Sequence, residues 1–153
     1  MIRIEEVRTF GADAAALFHF LADFRNLPLW DPGITSSRLL SGEANARGAR
    51  YDVESRFLGL RVPLRYETRR YDEASFEAVI EGEGESVRAV DRLVVAARPS
   101  GCQLRWQADF ELKGIRRLAE PMSRPIFHRL GDKAMSGLMR YALRNPSFSP
   151  PQR

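Results

Sequence analysis

A carboxylate stands on the apolar side of an alternating stretch of the sequence. Val87, Ala89, Leu93 and Val95 surround Asp91 at every second position, a period that is typical of a strand with one buried face. An unpaired carboxylate there is costly, so Asp91 must be protonated, paired, hydrogen-bonded or wetted by a cavity. Such a group can anchor a ligand hydroxyl or act as a general acid or base with a raised pKa. The alternatives are a structural hydrogen bond to a hydroxyl or arginine, and a bulge that turns Asp91 outward.

His128 is the second candidate for proton transfer. It lies at the margin of the apolar arc of a helical stretch, close to Met135 and Met139, and a histidine beside an apolar cavity can exchange protons near neutral pH. The alternative is a boundary residue hydrogen-bonded to water or to Asp132, four residues further along the helix. The two methionines would form an adaptable wall for a ligand, and ordinary helix packing explains them equally well.

Polar side chains are sparse among aliphatic ones on the predicted dry face. They are two tyrosines, two smaller hydroxyl residues and one indole: Tyr51, Ser55, Tyr66, Thr68 and Trp106. Isolated polar groups in an apolar surround are typical of a small-molecule pocket, and equally of a core whose hydroxyls are hydrogen-bonded. All five are therefore candidate ligand contacts.

The stretch NLPLWDPGI places Trp30 between two prolines. Pro28 is expected to end a second short helix, because the residue before a proline avoids the α region. Asp31 and Pro32 then turn the chain into the next strand. Trp30 is left where the short helices meet the sheet, either as the wall of a ligand site or as a plug in the core.

The spacing of apolar residues predicts the elements that hold these side chains. Alternation predicts a strand at Ile2 to Thr9, a weaker one at Ile34 to Ser41, and five further strands up to Leu112, with EGEGES and RPSG as turns. Helical spacing predicts a helix from Ala12 to Phe24 and a short one from Asp23 to Leu27. Short turns between consecutive strands favour an antiparallel sheet with one solvated face.

The chain after Gly114 has a helical period. Its prolines predict a short helix near Ile115 to Ala119, a break, and a main helix from about Ser123 to Leu143. A sheet with one dry face must curl around that helix, and the space beside the helix is the candidate site. The proline-rich tail, residues 144–153, is predicted to be disordered, so a single domain covers residues 1–143.

Composition limits the classes of function. A chain of 153 residues, 44% hydrophobic, fits one domain, and the lone Cys102 with two distant histidines offers no metal site. The net charge of +4 arises from arginines interspersed with acidic residues, which argues against nucleic-acid binding. We find no signal peptide, membrane span, phosphate loop or nucleophile motif, and predict a cytoplasmic monomer or dimer without cofactor or metal.

Two stretches carry a resemblance to a known family: LADFRNLPLWDPGI after the first helix and FELKGIRRLAEPMSRPIFHRLGDKAMSGLMRYAL at the end. With the order of the elements, they resemble the SRPBCC superfamily, also called START-like or polyketide cyclase/dehydrase-like, over residues 2–143. The resemblance implies an α+β helix-grip fold, in which a curved seven-stranded antiparallel sheet grips a long C-terminal helix and two short helices lie between the first and second strands. It also implies a cavity for an apolar ligand.

We therefore predict a protein that binds a small hydrophobic ligand, such as a lipid, polyketide or aromatic metabolite. The alternative implied by the resemblance is a polyketide cyclase/dehydratase-type enzyme, in which an acid/base residue directs ring closure and loss of water. A third class, a partner of other macromolecules, would need a large exposed apolar patch outside the cavity.

Overall fold

The computed structural model describes residues 1–148, in which seven strands form one sheet. The strands are β1 (Ile2–Phe10), β2 (Ile34–Ser41), β3 (Arg50–Phe57), β4 (Leu60–Asp72), β5 (Glu77–Glu83), β6 (Val87–Arg98) and β7 (Gly101–Leu112). They lie in the order β1-β7-β6-β5-β4-β3-β2, and every pairing is antiparallel. The predicted seven-stranded antiparallel sheet is confirmed.

The two faces of the sheet differ as the alternation predicts. Tyr51 and Val53 of β3 are buried on the inner face. The outer face carries ion pairs between neighbouring strands, joining Arg61 to Glu54, Arg69 to Glu81 at 3.1 Å, and Arg88 to Glu83 at 3.0 Å. Opposite charges on adjacent strands stabilise a solvated sheet face, so these three arginines are balanced by acidic residues of the neighbouring strand.

The segment between β1 and β2 differs from the prediction at Pro28. Helix α1 (Ala14–Ala22) begins after Asp13, whose Oδ2 accepts a hydrogen bond from the Ala16 backbone N at 3.1 Å. A 3₁₀ turn (Phe24–Asn26) follows and leads directly into α2 (Leu27–Trp30). The expectation that Pro28 ends a helix is wrong, because Pro28 lies in the first turn of α2, where its missing N–H has no helical partner.

The C-terminal helix is longer than predicted and has no break before it. A 3₁₀ turn (Gly114–Ala119) runs directly into α3 (Glu120–Arg144). Pro121 stands in the first turn and Pro125 within the helix. Since a proline is tolerated in a first turn, α3 begins at Glu120 instead of Ser123.

Two glycines allow α3 to lie close to its neighbours. A Cβ atom at Gly137 would stand 2.0 Å from the carbonyl oxygen of Trp30, and one at Gly131 would stand 2.7 Å from Cγ2 of Ile4. Both distances are shorter than any ordinary contact. Only glycine fits at position 137, where the neighbouring atom is backbone, and a larger residue at position 131 would have to displace the Ile4 side chain. The close approaches hold α3 against α2 and β1.

The predicted disordered tail is wrong for residues 144–148. Arg144 ends α3, and Phe148 is only 3% exposed. The Phe148 ring packs on Phe10 and Phe20, with ring centroids 5.8 Å and 5.4 Å away. One aromatic side chain thus anchors a segment whose composition is typical of disorder. The rest of the predicted tail, residues 149–153, lies outside the described residues.

The single cysteine is enclosed by the fold. Cys102 of β7 is 1% exposed, and burial raises the pKa of its thiol. Within residues 1–148, no three His, Cys, Asp or Glu side chains lie close enough together to hold a metal ion.

Candidate functional site

A cavity of about 600 Å³ lies between the inner face of the sheet and α3. Most of its wall is aliphatic or aromatic and comes from α1, the 3₁₀ turn, the strands and α3, including Leu21, Phe24, Leu64, Leu93, Phe110 and Ala134. Small-molecule sites typically enclose about 300–1,000 Å³. The structure therefore has a space of suitable size beside the helix.

Two glycines on the inner face help to keep this space open. Gly82 of β5 pairs with Tyr66 of β4, and a Cβ atom at Gly82 would stand 2.7 Å from the tyrosine ring. A Cβ atom at Gly84 would stand 2.8 Å from Cδ2 of Leu64. Because neither glycine has a side chain, Tyr66 can pack directly against the backbone at Gly82, and Leu64 against the backbone at Gly84. The turn predicted over EGEGES is accordingly shorter, since Gly82 belongs to β5.

Asp91 lies on the inner face of β6 and lines the cavity, as the alternation predicts. The side chain is buried, with the residue 8% exposed, and its Oδ1 accepts a hydrogen bond from Nε1 of Trp106 at 2.8 Å. Burial raises the pKa of Asp91 to about 7, with the nearby carboxylates of Asp31 and Asp109 adding to the rise and the Trp106 hydrogen bond opposing it. Near neutral pH this carboxyl can both give and accept a proton.

Asp31 is a second carboxyl in the same cavity, although its place before Pro32 in the sequence predicts only a turn. Its Oδ1 accepts a hydrogen bond from the Gly33 backbone N at 2.9 Å, and this hydrogen bond closes the predicted turn. Its position after α2 also places it in the cavity wall, and burial raises the pKa of its carboxyl to about 6. One feature of the sequence indicates this position: Asp31 directly follows Trp30, which is itself a candidate for the cavity wall.

Tyr66 completes a group of three ionisable side chains in the wall. Burial raises the pKa of its phenol well above the ordinary value, and the charges of Asp91 and Asp31 raise it further. The phenol therefore stays protonated and can donate a hydrogen bond to a ligand oxygen. Together the three groups offer one neutral donor and two carboxyls that titrate near neutrality.

Trp30 and Ser55 also line the cavity, each with a structural contact as well. Trp30 is 7% exposed, and its carbonyl is the oxygen that Gly137 approaches. It is thus both a wall of the cavity and part of the contact between α2 and α3. The Ser55 hydroxyl donates a hydrogen bond to the carbonyl oxygen of Val62 at 3.0 Å, within the strand pair.

Five candidate residues of the sequence analysis do not line the cavity: Tyr51, Thr68, His128, Met135 and Met139. Tyr51 and Thr68 are buried in the sheet, and the Tyr51 ring packs on Phe24 with centroids 5.8 Å apart. Met135 is buried in the core. His128 and Met139 are exposed, because the cavity side of α3 carries residues such as 126, 130 and 133, and helical geometry turns 128 away from them. The structure therefore places Trp30, Ser55, Tyr66, Asp91 and Trp106 together at the cavity and leaves the other five outside.

Exposed residues in the cavity lining mark its mouth, which lies between two edges. One edge comprises Pro32, Gly33 and the tip of the β3–β4 hairpin at Leu58 and Gly59, and the other is a stretch of α3 that includes Arg129 and Lys133. Leu58 and both basic residues are exposed. The interior is thus mainly apolar, whereas the α3 edge is positively charged.

Comparisons with known proteins agree with this architecture. The family described as polyketide cyclase / dehydrase and lipid transport matches residues 1–145. A search among curated proteins gave no match. Among the described residues, no helix is long and apolar enough to span a membrane.

Solved structures share the fold over nearly the whole chain. TTHA0849 from Thermus thermophilus aligns with a TM-score of 0.80 at 16% identity, covering 95% of this chain and 99% of that one. The Zhui aromatase/cyclase from Streptomyces sp. R1128 gives 0.73 at 13% identity, covering 92% and 90%. A START superfamily protein from Mycobacterium smegmatis gives 0.69 at 17% identity, covering 91% and 92%. At these identities the likeness establishes the fold alone.

Proposed function

Because this chain belongs to the polyketide cyclase / dehydrase and lipid transport family, we propose that it binds a small hydrophobic ligand, a lipid, polyketide or aromatic metabolite, in the cavity between the sheet and α3. The observation that carries the proposal is the apolar cavity of about 600 Å³ with only a few polar groups in its wall. Burial of apolar ligand surface contributes roughly 25 cal/mol per Å² before the costs of association. Asp91, Tyr66 and Trp30 would fix the orientation of the ligand.

A ligand screen with one cavity-filling variant tests this proposal. We expect native mass spectrometry of freshly purified protein to detect a bound small molecule, and the neutral dye Nile red to bind the emptied protein. Val62→Trp, in the cavity wall, should reduce dye binding. Val79→Trp is the matched control, since Val79 lies on β5 outside the cavity lining. Equal dye binding by the two variants, or no binding by the wild type, would contradict the proposal.

The two carboxyls favour a second candidate, an enzyme of the cyclase/dehydratase type. With pKa values of about 6 and about 7, Asp31 and Asp91 exchange protons readily at neutral pH. In this alternative, a carboxylate removes a proton from the carbon between two carbonyls, and the resulting enolate attacks a ketone carbon of the same chain. The alkoxide takes up a proton and becomes a hydroxyl group. A carboxylate then removes a second α-proton, and the hydroxyl group takes a proton from a carboxyl as it leaves as water, so that the carboxyls return the two protons that they removed from carbon. Orientation of the folded chain by the cavity supplies much of the rate.

The Asp91→Asn variant distinguishes the enzyme from the binding protein. The amide keeps the size of the side chain and an oxygen for Trp106, but it cannot transfer a proton. Loss of product formation from a poly-β-carbonyl substrate, with ligand binding retained, supports the enzyme. Asp52→Asn, on the solvated face of β3, is the matched control. If the wild type shows no turnover, the enzyme is contradicted and only the binding function remains.

A further inference from the structure

Two cations at the mouth of the cavity form no ion pair in the part of the chain that the structure describes. Arg129 and Lys133 line the cavity on α3, are exposed, and form no ion pair within residues 1–148. On the outer sheet face, Arg69 and Arg88 contact acidic residues, whereas Arg65 and Arg92 form no ion pair among the described residues. Arg129 and Lys133 are distinguished by their position in the cavity lining. Arg56 also lies in the wall without an ion pair, but the alternation of β3 directs its side chain to the outer face, so we assign it no role.

The spacing of this pair is unfavourable for the helix by itself. Residues four apart on a helix face one another, and two like charges at that spacing destabilise it. Asp132 is three residues after Arg129 and therefore near it on the helix surface, but among the described residues it forms no ion pair with Arg129 or Lys133. Two cations that are fully exposed to solvent need no acidic partner. Where they border an apolar cavity, however, their positive potential attracts anions to its entrance.

The carboxyls of the cavity set the opposite polarity inside. Asp91 is buried in the wall, and Asp31 is the other acidic residue among those that line the cavity. In their ionised form these carboxyls repel a negative group on a ligand, whereas Arg129 and Lys133 attract it. An apolar body with one anionic end therefore fits in one direction, with the charged end at the mouth.

Resting on the proposed function, we propose that the ligand is an amphipathic anion whose charged group, a carboxylate or a group of similar charge, lies between Arg129 and Lys133 while its apolar body fills the cavity. This assigns Arg129 and Lys133 as specificity-determining residues. Neutral molecules of the same apolar shape bind more weakly because they gain nothing at the mouth, and cationic ones are repelled there.

Displacement of Nile red by dodecanoate and by dodecanol tests the assignment, because the two compounds differ only in the charged end. We expect Arg129→Gln/Lys133→Gln to weaken dodecanoate binding about tenfold at low salt and to leave dodecanol binding unchanged. The control Arg124→Gln/Arg140→Gln removes the same charge from exposed positions of α3 outside the cavity lining. It should change neither affinity more than about twofold.

The outcomes separate this inference from the proposed function. Equal dodecanoate affinity in the wild type and the Arg129/Lys133 variant, or an equal loss in the control variant, overturns the role of the two cations. Displacement by dodecanol alone overturns the anionic ligand and leaves hydrophobic ligand binding in place. Failure of both compounds to displace the dye from wild-type protein overturns both proposals.

Discussion

Nε1 of Trp106 and Oδ1 of Asp91 lie 2.8 Å apart across β6 and β7, on the face of the sheet that borders the cavity. The two residues are diagonal in the register, since Asp91 pairs with Ala108 and Leu93 with Trp106. Diagonal neighbours on a sheet are within reach of an aromatic side chain. The indole thus provides the hydrogen bond that a buried carboxylate requires.

Removing this donor should destabilise the protein. Trp106→Phe leaves the carboxylate without its partner, and an unsatisfied buried acceptor costs about 1–3 kcal/mol in the free energy of unfolding. Urea unfolding at alkaline pH, where Asp91 is ionised, measures the loss. The same substitution in an Asp91→Leu background should cost less, because the acceptor is already gone. Equal costs in both backgrounds would show that the hydrogen bond contributes nothing.

The pKa of Asp91 predicts a distinct dependence of stability on pH. Its folded-state value of about 7 exceeds the ordinary 3.8, so the folded state binds more protons between those values. The stabilisation is complete below about pH 4 and is lost as the pH rises through about 7. Relative to Asp91→Asn, the wild type should lose up to about 4 kcal/mol of unfolding free energy over this range. Urea unfolding of both proteins at several pH values tests this, and a constant difference would contradict it.

A methyl group at Gly82 should close part of the cavity. Since its Cβ atom would stand 2.7 Å from the Tyr66 ring, the ring must move off β5 and toward the space in front of it. We expect Gly82→Ala to weaken Nile red binding and to lower the free energy of unfolding by about 1–3 kcal/mol. Gly11→Ala is the control, because no atom lies within 4 Å of a Cβ atom there. Unchanged dye binding by Gly82→Ala would contradict the role given to this glycine.

The aromatic anchor after α3 should contribute measurably to stability. Phe148→Ala removes a ring that is 3% exposed and packs on Phe10 and Phe20, a change that typically costs about 3–5 kcal/mol. Leu143→Ala, at an exposed position of the same helix end, should cost less than about 0.5 kcal/mol. Thermal and urea unfolding compare the two variants, and similar midpoints would show that the segment after α3 is dispensable.

Alternation was sufficient to predict the sheet and the placement of Asp91. A strand shows its buried face through every second side chain, and that signal survives in β3, β4, β6 and β7. The roles of Gly82 and Gly84 give no such signal, because a residue without a side chain has no preference for either face. Their effect depends on the opposing Tyr66 and Leu64, which only the folded sheet brings together with them.

The remaining differences arise from tertiary contacts. Asp31 is typical of a turn, and its burial comes from the chain around it, which periodicity does not describe. His128 stands two residues after Ile126, which lines the cavity, but a helix turns it to the solvent. The polar, proline-rich composition after residue 143 predicts disorder, yet Phe148 finds an aromatic cluster that comes from β1 and α1.

The burial of Cys102 limits the covalent chemistry open to the folded chain. Thiol–disulfide exchange requires an accessible thiolate, and burial both shields this sulfur and favours its protonated form. Two folded copies therefore cannot become cross-linked through sulfur under mild oxidation. A cysteine introduced at an exposed position, such as Leu58 at the cavity mouth, would consequently be the one thiol to react with a fluorescent maleimide, which makes the entrance accessible to site-specific labelling.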